Sequence, residues 1–167
     1  MAMTVADFIA GARRIVYAEP DQNGRKKLVL FVREALKDPA FVAEALPDGT
    51  PERHVIYEDP TFGFTILAHS YEGAKGGQPH DHAAGWAIYG QAVGETIMTD
   101  FECVARPDGV NPGKARPKRD YSLKPGDAYL YEVGVLHAPR REAATKLLRI
   151  EGLNMAKFKR LPYEIAA

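Results

Sequence analysis

The sequence predicts a mainly β fold, an antiparallel barrel or sandwich preceded by two to three α-helices. The spacing of apolar residues changes near residue 50, from the period of a helix to short runs typical of β-strands. Glycine, proline and other turn residues separate these later runs. The predicted order is therefore helices first and strands second.

Helical signals fill the segment before residue 50. Thr4 with Asp7 is typical of a capping box, and Asp38 before Pro39 is typical of a helix N-terminus. Two runs of apolar residues also recur at the spacing of one helix face. These runs are Val5, Phe8, Ile9, Ala12 and Val16, followed by Leu28, Phe31, Val32, Ala35 and Leu36.

Short β-prone runs follow, bounded by turn residues. The segment 107–118 carries three prolines among basic residues, so we expect an exposed loop there that includes the cluster Lys114–Arg119. The predicted strands lie around Val55–Tyr57, Phe62–Tyr71, Trp86–Tyr89, Glu95–Cys103, Ala128–Tyr131 and Lys146–Ile150.

Composition indicates one ordinary globular domain. The chain has 167 residues, 46% of them hydrophobic and 26% charged, and its 22 basic residues balance 22 acidic ones. A neutral chain lacks the field that draws proteins to nucleic acid or to anionic lipid. We expect a single domain over 1–167, with a helical segment in 1–48 and a barrel in 49–160, as a monomer or homodimer.

Cys103 is the single cysteine, which excludes an intramolecular disulfide. We expect it to be a buried, unreactive thiol.

The sequence shows neither a signal-peptide core nor an apolar run of about 18 residues. These features predict a cytoplasmic protein without a membrane partner.

Candidate chemistry begins with His80-Asp81-His82. In a β-strand, side chains two positions apart share a face about 6.5–7 Å apart, so two imidazoles can converge on one metal ion. Pro79 favours an extended conformation before it and so supports a strand here. Asp81, between the two histidines, would point to the opposite face.

The surroundings of these histidines resemble the first motif of the cupin family, G-x5-H-x-H-x3,4-E-x6-G. His80, His82 and Gly94 stand in register, Ala74 takes the place of the first glycine, and Ala87 takes the place of the glutamate. The resemblance implies a double-stranded β-helix, or jelly-roll barrel, with a metal site.

A second stretch resembles the second cupin motif, G-x5-P-x-G-x2-H-x3-N. Gly126, Gly134 and His137 match at the right spacing, whereas Glu132 replaces the proline and Arg141 replaces the asparagine. The resemblance implies that His137 is the third metal ligand.

With Ala87 in place of the glutamate, the metal ion would be bound by three neutral imidazoles. It would keep its full positive charge and attract anionic ligands. This set resembles that of cysteine dioxygenase and related thiol dioxygenases, which implies Fe(II) that binds a small anionic substrate beside O₂. Zn, Ni and Cu also suit three imidazoles. Weaker similarities to that family span about residues 25 to 155.

The pocket departs from that of the cysteine dioxygenases. Leu147, Arg149 and Glu151 stand where those enzymes carry serine, histidine and tyrosine, and the arginine of their early strand is missing. Arg149 could replace that carboxylate anchor from another wall of the barrel. An Arg149–Glu151 pair that serves barrel packing or faces solvent is the alternative.

Tyr89 shares the face of Ala87 and should point inward, where its phenol could orient a substrate or could serve only packing. His69 could face the cavity or be a structural histidine. The family comparison implies that Leu130 lines the pocket, which would turn Tyr129 and Tyr131 outward.

The predicted function is therefore a non-haem Fe(II)-dependent dioxygenase, with His80, His82 and His137 as ligands and Tyr89 and Arg149 as catalytic residues. Its partners would be O₂ and a small anionic molecule, such as a thiol acid. Alternatives are a three-histidine cupin enzyme that cleaves carbon–carbon bonds or isomerises, and a cupin that only binds a small molecule.

Overall fold

A computed structural model describes residues 2–166 and begins with three helices. The capping box of Thr4 and Asp7 opens the first helix, and the Asp38 carboxylate accepts from Ala40 N at the start of the third. None of the helices in this range is long and apolar enough to cross a membrane. The helices are α1 (Val5–Ala18), α2 (Gln22–Ala35) and α3 (Pro39–Ala45).

Ten strands follow within the described range, with a short 3₁₀ turn at Met155–Lys157 before the last. The strands are β1 (His54–Glu58), β2 (Thr65–Tyr71), β3 (Lys75–Gly76), β4 (Ala87–Val93), β5 (Thr96–Ala105), β6 (Gly113–Leu123), β7 (Ala128–Tyr131), β8 (His137–Arg141), β9 (Thr145–Glu151) and β10 (Tyr163–Ile165).

The strands form two sheets in the orders β1-β2-β9-β4-β7 and β10-β6-β5-β8-β3. Apart from the flanking β1 and β10, each sheet has four strands, and the chain passes from one sheet to the other in the order of a jelly roll. The fold is thus the double-stranded β-helix of cupins, mainly β with three N-terminal helices, and the predicted fold class is confirmed.

The two faces of the first sheet have different neighbours. On β9, Leu148 and Ile150 point toward the helices, whereas Arg149 and Glu151 alternate with them and point into the barrel. The helix-facing side joins an apolar core with buried residues of all three helices. Members of this core include Phe8, Ala12, Leu28, Val32, Phe41, Ile66, Ala68, Ile88, Leu148 and Ile150.

The loop predicted at 107–118 is shorter than expected, because β6 begins at Gly113. Lys114–Arg119 therefore lies on a strand rather than in a loop. Pro117 is accommodated because the β5–β6 register shifts between Asp100 and Phe101, beside the position that pairs with the proline. The prediction of a buried Cys103 was also wrong, since this thiol is exposed.

Candidate metal centre

Three histidines converge at one end of the barrel interior. His80, His82 and His137 each offer a ring nitrogen, and these atoms all lie within 4.8 Å of one another. The Nε2 atoms of His82 and His137 are 3.3 Å apart. Two nitrogens bound tetrahedrally at about 2.0–2.1 Å would lie about 3.3 Å apart. The cluster could therefore hold a metal ion.

Backbone pairing places two of the histidines opposite each other. His80 and His137 form an isolated antiparallel bridge, in which each backbone N–H donates to the carbonyl of the other at 3.0 Å. His137 is also the first residue of β8. This bridge joins the loop before β4 to the second sheet, so the two imidazoles lie side by side with their ring centroids 4.7 Å apart.

His82 reaches the cluster from a tight loop, not from the strand that its spacing with His80 suggested. The carbonyl of His82 accepts from Gly85 N at 2.8 Å, and the Asp81 carboxylate accepts from Ala83 N at 3.0 Å. Ala83 adopts a left-handed conformation with φ 51°. This conformation is unfavourable for a residue with a side chain, so the loop carries strain beside a candidate ligand.

Two backbone carbonyls decide which nitrogens carry protons. His80 Nδ1 lies 2.9 Å from Gln78 O, and His137 Nδ1 lies 3.1 Å from Val135 O. A carbonyl only accepts, so Nδ1 is the donor and the Nε2 lone pair faces the cluster. His82 Nδ1 is buried and has no hydrogen-bond partner within residues 2–166.

Burial keeps the imidazoles neutral. It lowers the pKa of His80 to about 4, helped by the charges of Arg160 and Arg149. Burial likewise lowers the pKa of His82 and His137 well below the ordinary value, with repulsion among the histidines as a further cause. Neutral imidazole is the form that binds metal.

Tyr89 lies beside two of the three histidines. Its hydroxyl is 3.2 Å from Nε2 of both His82 and His137, and the residue is fully buried. The Arg149 guanidinium stacks on the Tyr89 ring, with Cζ 4.2 Å from the ring centroid. Both side chains point inward, which was expected for Tyr89 and left open for Arg149, and their catalytic roles remain predictions.

Arg149 also contacts a buried carboxylate, as the alternative interpretation proposed. Its Nη1 lies 3.4 Å from Glu151 Oε1, and Arg53 Nη2 lies 3.4 Å from the other carboxylate oxygen. The packing and functional interpretations of Arg149 are therefore compatible, because one guanidinium contacts both Glu151 and Tyr89.

The orientation predicted for β7 was wrong. Leu130 packs against the helix-facing core, whereas Tyr131 is buried inside the barrel with its ring centroid 4.0 Å from that of His137. The Tyr131 hydroxyl lies 2.7 Å from that of Tyr121, which donates to Asp100 at 3.0 Å. Pairing of Tyr131 with Ala87 on β4 sets this inward orientation.

A second buried group lies further along the interior and was missed as a functional feature. Arg141 is only 4% exposed and stacks on Tyr71, with its Cζ 4.2 Å from the ring centroid. His69 is also buried, and its Nδ1 lies 3.3 Å from the Tyr71 hydroxyl. Because strand residues alternate between faces, the spacing of Arg141 from His137 could have indicated that both point inward.

The donor set suits several metals. Imidazole nitrogens bind Fe, Zn, Cu and Ni alike, and no Asp, Glu or Cys of residues 2–166 joins the cluster. A bound divalent ion would therefore keep its full positive charge, and further ligands of that ion would be drawn from anions.

Comparisons with known proteins find similar solved structures but no related sequence. No family model matches the chain, and no curated protein matches it in sequence. A cupin-2 domain protein of Shewanella frigidimarina is similar in structure at 18% identity, over 59% of this chain and 76% of its own, with a TM-score of 0.42. A cupin superfamily protein of Desulfitobacterium hafniense is similar at 16% identity, over 66% of this chain and 96% of its own, with a TM-score of 0.45.

KdgF from a Halomonas species is similar at 14% identity, over 64% of this chain and 82% of its own, with a TM-score of 0.45. Similarities this weak do not indicate a function for this chain. The assignment of the fold depends on the strand order of this chain.

Proposed function

We propose that this chain is a non-haem Fe(II)-dependent dioxygenase that oxidises a small anionic substrate with O₂. Thiol acids are the class of substrate to test first. The observation that carries the proposal is the cluster of three neutral imidazoles without a carboxylate. The Nε2 atoms of His82 and His137 lie 3.3 Å from each other, and each lies 3.2 Å from the Tyr89 hydroxyl. Fe(II) bound there would supply adjacent positions for substrate and O₂.

The charge around the cluster favours an anion. Arg149 and Arg141 are both buried in the barrel, and Glu151 is the buried carboxylate that contacts Arg149. Positive charge at low dielectric attracts an anionic substrate and repels cations. The barrel interior thus favours an anionic substrate, which is also the kind of ligand that a metal ion bound by three neutral imidazoles attracts.

Tyr89 and Arg149 have distinct roles in this proposal. The Tyr89 hydroxyl lies next to Nε2 of both His82 and His137, so it can donate one hydrogen bond to a bound substrate or to O₂. Arg149 positions Tyr89 by stacking on its ring and adds positive charge behind it. Burial raises the pKa of Tyr89, so the phenol keeps its proton at neutral pH.

Metal content and oxygen uptake test the proposal together. We expect purified protein to contain iron and to consume O₂ with 3-mercaptopropionate, cysteine or a related thiol. His80→Ala and His137→Ala should reduce bound metal to near zero, because two imidazoles retain a divalent ion poorly. Replacement of the exposed His54 by alanine is the matched control and should leave the metal content unchanged.

Three results would contradict the proposal at different levels. Iron-loaded protein that consumes no O₂ above background with the thiol panel excludes the thiol dioxygenase activity. Metal retained in His137→Ala excludes the site itself. Stoichiometric binding of a thiol acid without turnover would indicate a binding protein in place of an enzyme.

A further inference from the structure

Arg141 is a buried cation that no carboxylate of residues 2–166 contacts within salt-bridge distance. Its Nε and Nη2 atoms have no hydrogen-bond partner among residues 2–166. The neighbouring arginines differ, since Arg140 contacts Glu142 and Arg149 contacts Glu151, whereas no such carboxylate meets Arg141 in the same range. Arg149 Nε also lacks a partner there, but the charge of Arg149 is compensated by Glu151, so Arg141 is the buried guanidinium that no carboxylate contacts.

An unpaired buried guanidinium is unfavourable for the folded protein. A desolvated charge without hydrogen bonds costs free energy, and a guanidinium presents five N–H donors. Stacking on Tyr71 offsets part of this cost but provides no acceptor for those donors. Tyr71 also lines an open cleft of about 400 Å³, so Arg141 packs against a residue that solvent reaches.

Arg141 belongs to the same interior as the histidine cluster. It lies four positions after His137 on β8, and alternate residues of a strand share a face. Its charge contributes to lowering the pKa of the buried His69, as that of Arg149 does. The chain thus has a metal-binding cluster and an unpaired cation along one barrel wall.

We infer that Arg141 binds the carboxylate of a substrate whose opposite end lies at the histidine cluster. A carboxylate matches the planar guanidinium in two parallel hydrogen bonds and supplies the missing counterion. The inference rests on the proposed function and names its substrate class, a small carboxylic acid with a metal-binding group at the far end. Arg141, and not Arg149, is then the carboxylate anchor, because Arg149 already contacts Glu151.

Binding of 3-mercaptopropionate and its neutral amide, 3-mercaptopropionamide, tests this inference by calorimetry. Wild type, Arg141→Gln and the exposed-site control Arg140→Gln are compared at constant ionic strength, each with iron and after removal of metal. We expect Arg141→Gln to weaken acid binding about ten- to hundred-fold in both states, as for loss of a charged hydrogen-bonded pair. Binding of the amide should not change, and Arg140→Gln should resemble wild type.

The outcomes separate this inference from the proposed function. Preference for the acid that disappears in Arg141→Gln, in protein that consumes no O₂, supports the anchor and excludes the oxygenase. Equal acid binding by wild type and Arg141→Gln overturns the anchor whatever the activity. If Arg141→Gln fails to fold, Arg141→Lys provides the second test: the ammonium keeps the charge but cannot form two parallel hydrogen bonds with a carboxylate, so acid binding should weaken while amide binding stays unchanged, and acid binding equal to wild type overturns the anchor.

Discussion

The two faces of β9 bury side chains of opposite character. Leu148 and Ile150 face an apolar core shared with the helices, while Arg149 and Glu151 face a polar interior that also contains Tyr89. All of these side chains are buried. Burial on one face is favourable through the hydrophobic effect, whereas burial on the other must be compensated by pairing.

This difference separates stability from chemistry within single strands. The helices cover one face and supply most of the apolar contacts, so the interior is free to contain charged and titratable groups. Strand alternation lets each sheet contribute to both regions at once. The predictions below test whether the two regions can be changed independently.

The largest effect is expected for Glu151→Gln, on the polar face. Loss of this charge leaves Arg149 buried without its carboxylate and should lower the free energy of unfolding by about 3–5 kcal/mol. Urea denaturation measures the change, with Glu142→Gln on the exposed Arg140 pair as a control expected within about 0.5 kcal/mol. Unchanged stability would show that the polar face does not depend on this pair.

Acid should weaken the polar face before the apolar one. Burial lowers the pKa of His69 to about 2, with Arg149 as a further cause. The unfolded chain then binds a proton that the folded chain does not, so stability falls as the pH drops below about 6.5. The slope is about 1.4 kcal/mol per pH unit for each such histidine.

His69→Gln should remove one histidine's share of that slope, measured by urea denaturation between pH 7 and about pH 4. His54→Gln, at an exposed position, is the control. An identical slope in wild type and His69→Gln would contradict the assignment of His69 as a buried neutral group.

A change on the apolar face should leave the chemistry intact. Ile150→Val removes one buried methylene group and should lower the free energy of unfolding by about 0.5–1.5 kcal/mol. The metal content of the folded protein should not change. Loss of metal in this variant would show that the two faces of β9 are coupled.

The smallest effect is expected in the loop after His82. Ala83→Gly relieves a left-handed conformation at φ 51° and should raise the free energy of unfolding by about 0.5 kcal/mol. Ala84→Gly, one residue later, should instead lower it, because glycine adds freedom to the unfolded chain. Calorimetric melting of both variants measures the difference, and destabilisation by both would show that Ala83 is not strained.

The fold was predictable where apolar patterning is strong. The helices and strands such as Thr65–Tyr71 and Thr145–Glu151 are indicated by their helix-facing residues. His137–Arg141 was not predicted as a strand, because its inward positions carry a histidine and an arginine, so no apolar alternation marks it. Lys75–Gly76 is too short to give any pattern.

The candidate site was partly predictable for a similar reason. Motif spacing brought His80, His82 and His137 together, although His82 lies in a loop and not in a strand. Tyr131 was missed because its direction depends on which face of β7 is inside, and the pairing of β7 with β4 settles that direction. Arg141 shares a strand face with His137, but it was missed because β8 was not predicted as a strand.

The carbonyls of Gln78 and Val135 hold protons on the outer nitrogens of His80 and His137. A cation that enters the cluster therefore meets two lone pairs that no proton occupies, and its arrival displaces none from either ring. Metal affinity should accordingly vary little between pH 7 and 8, unlike that of thiolate sites, which must first lose protons. Two ordinary peptide groups thus prepare these histidines before any ion arrives.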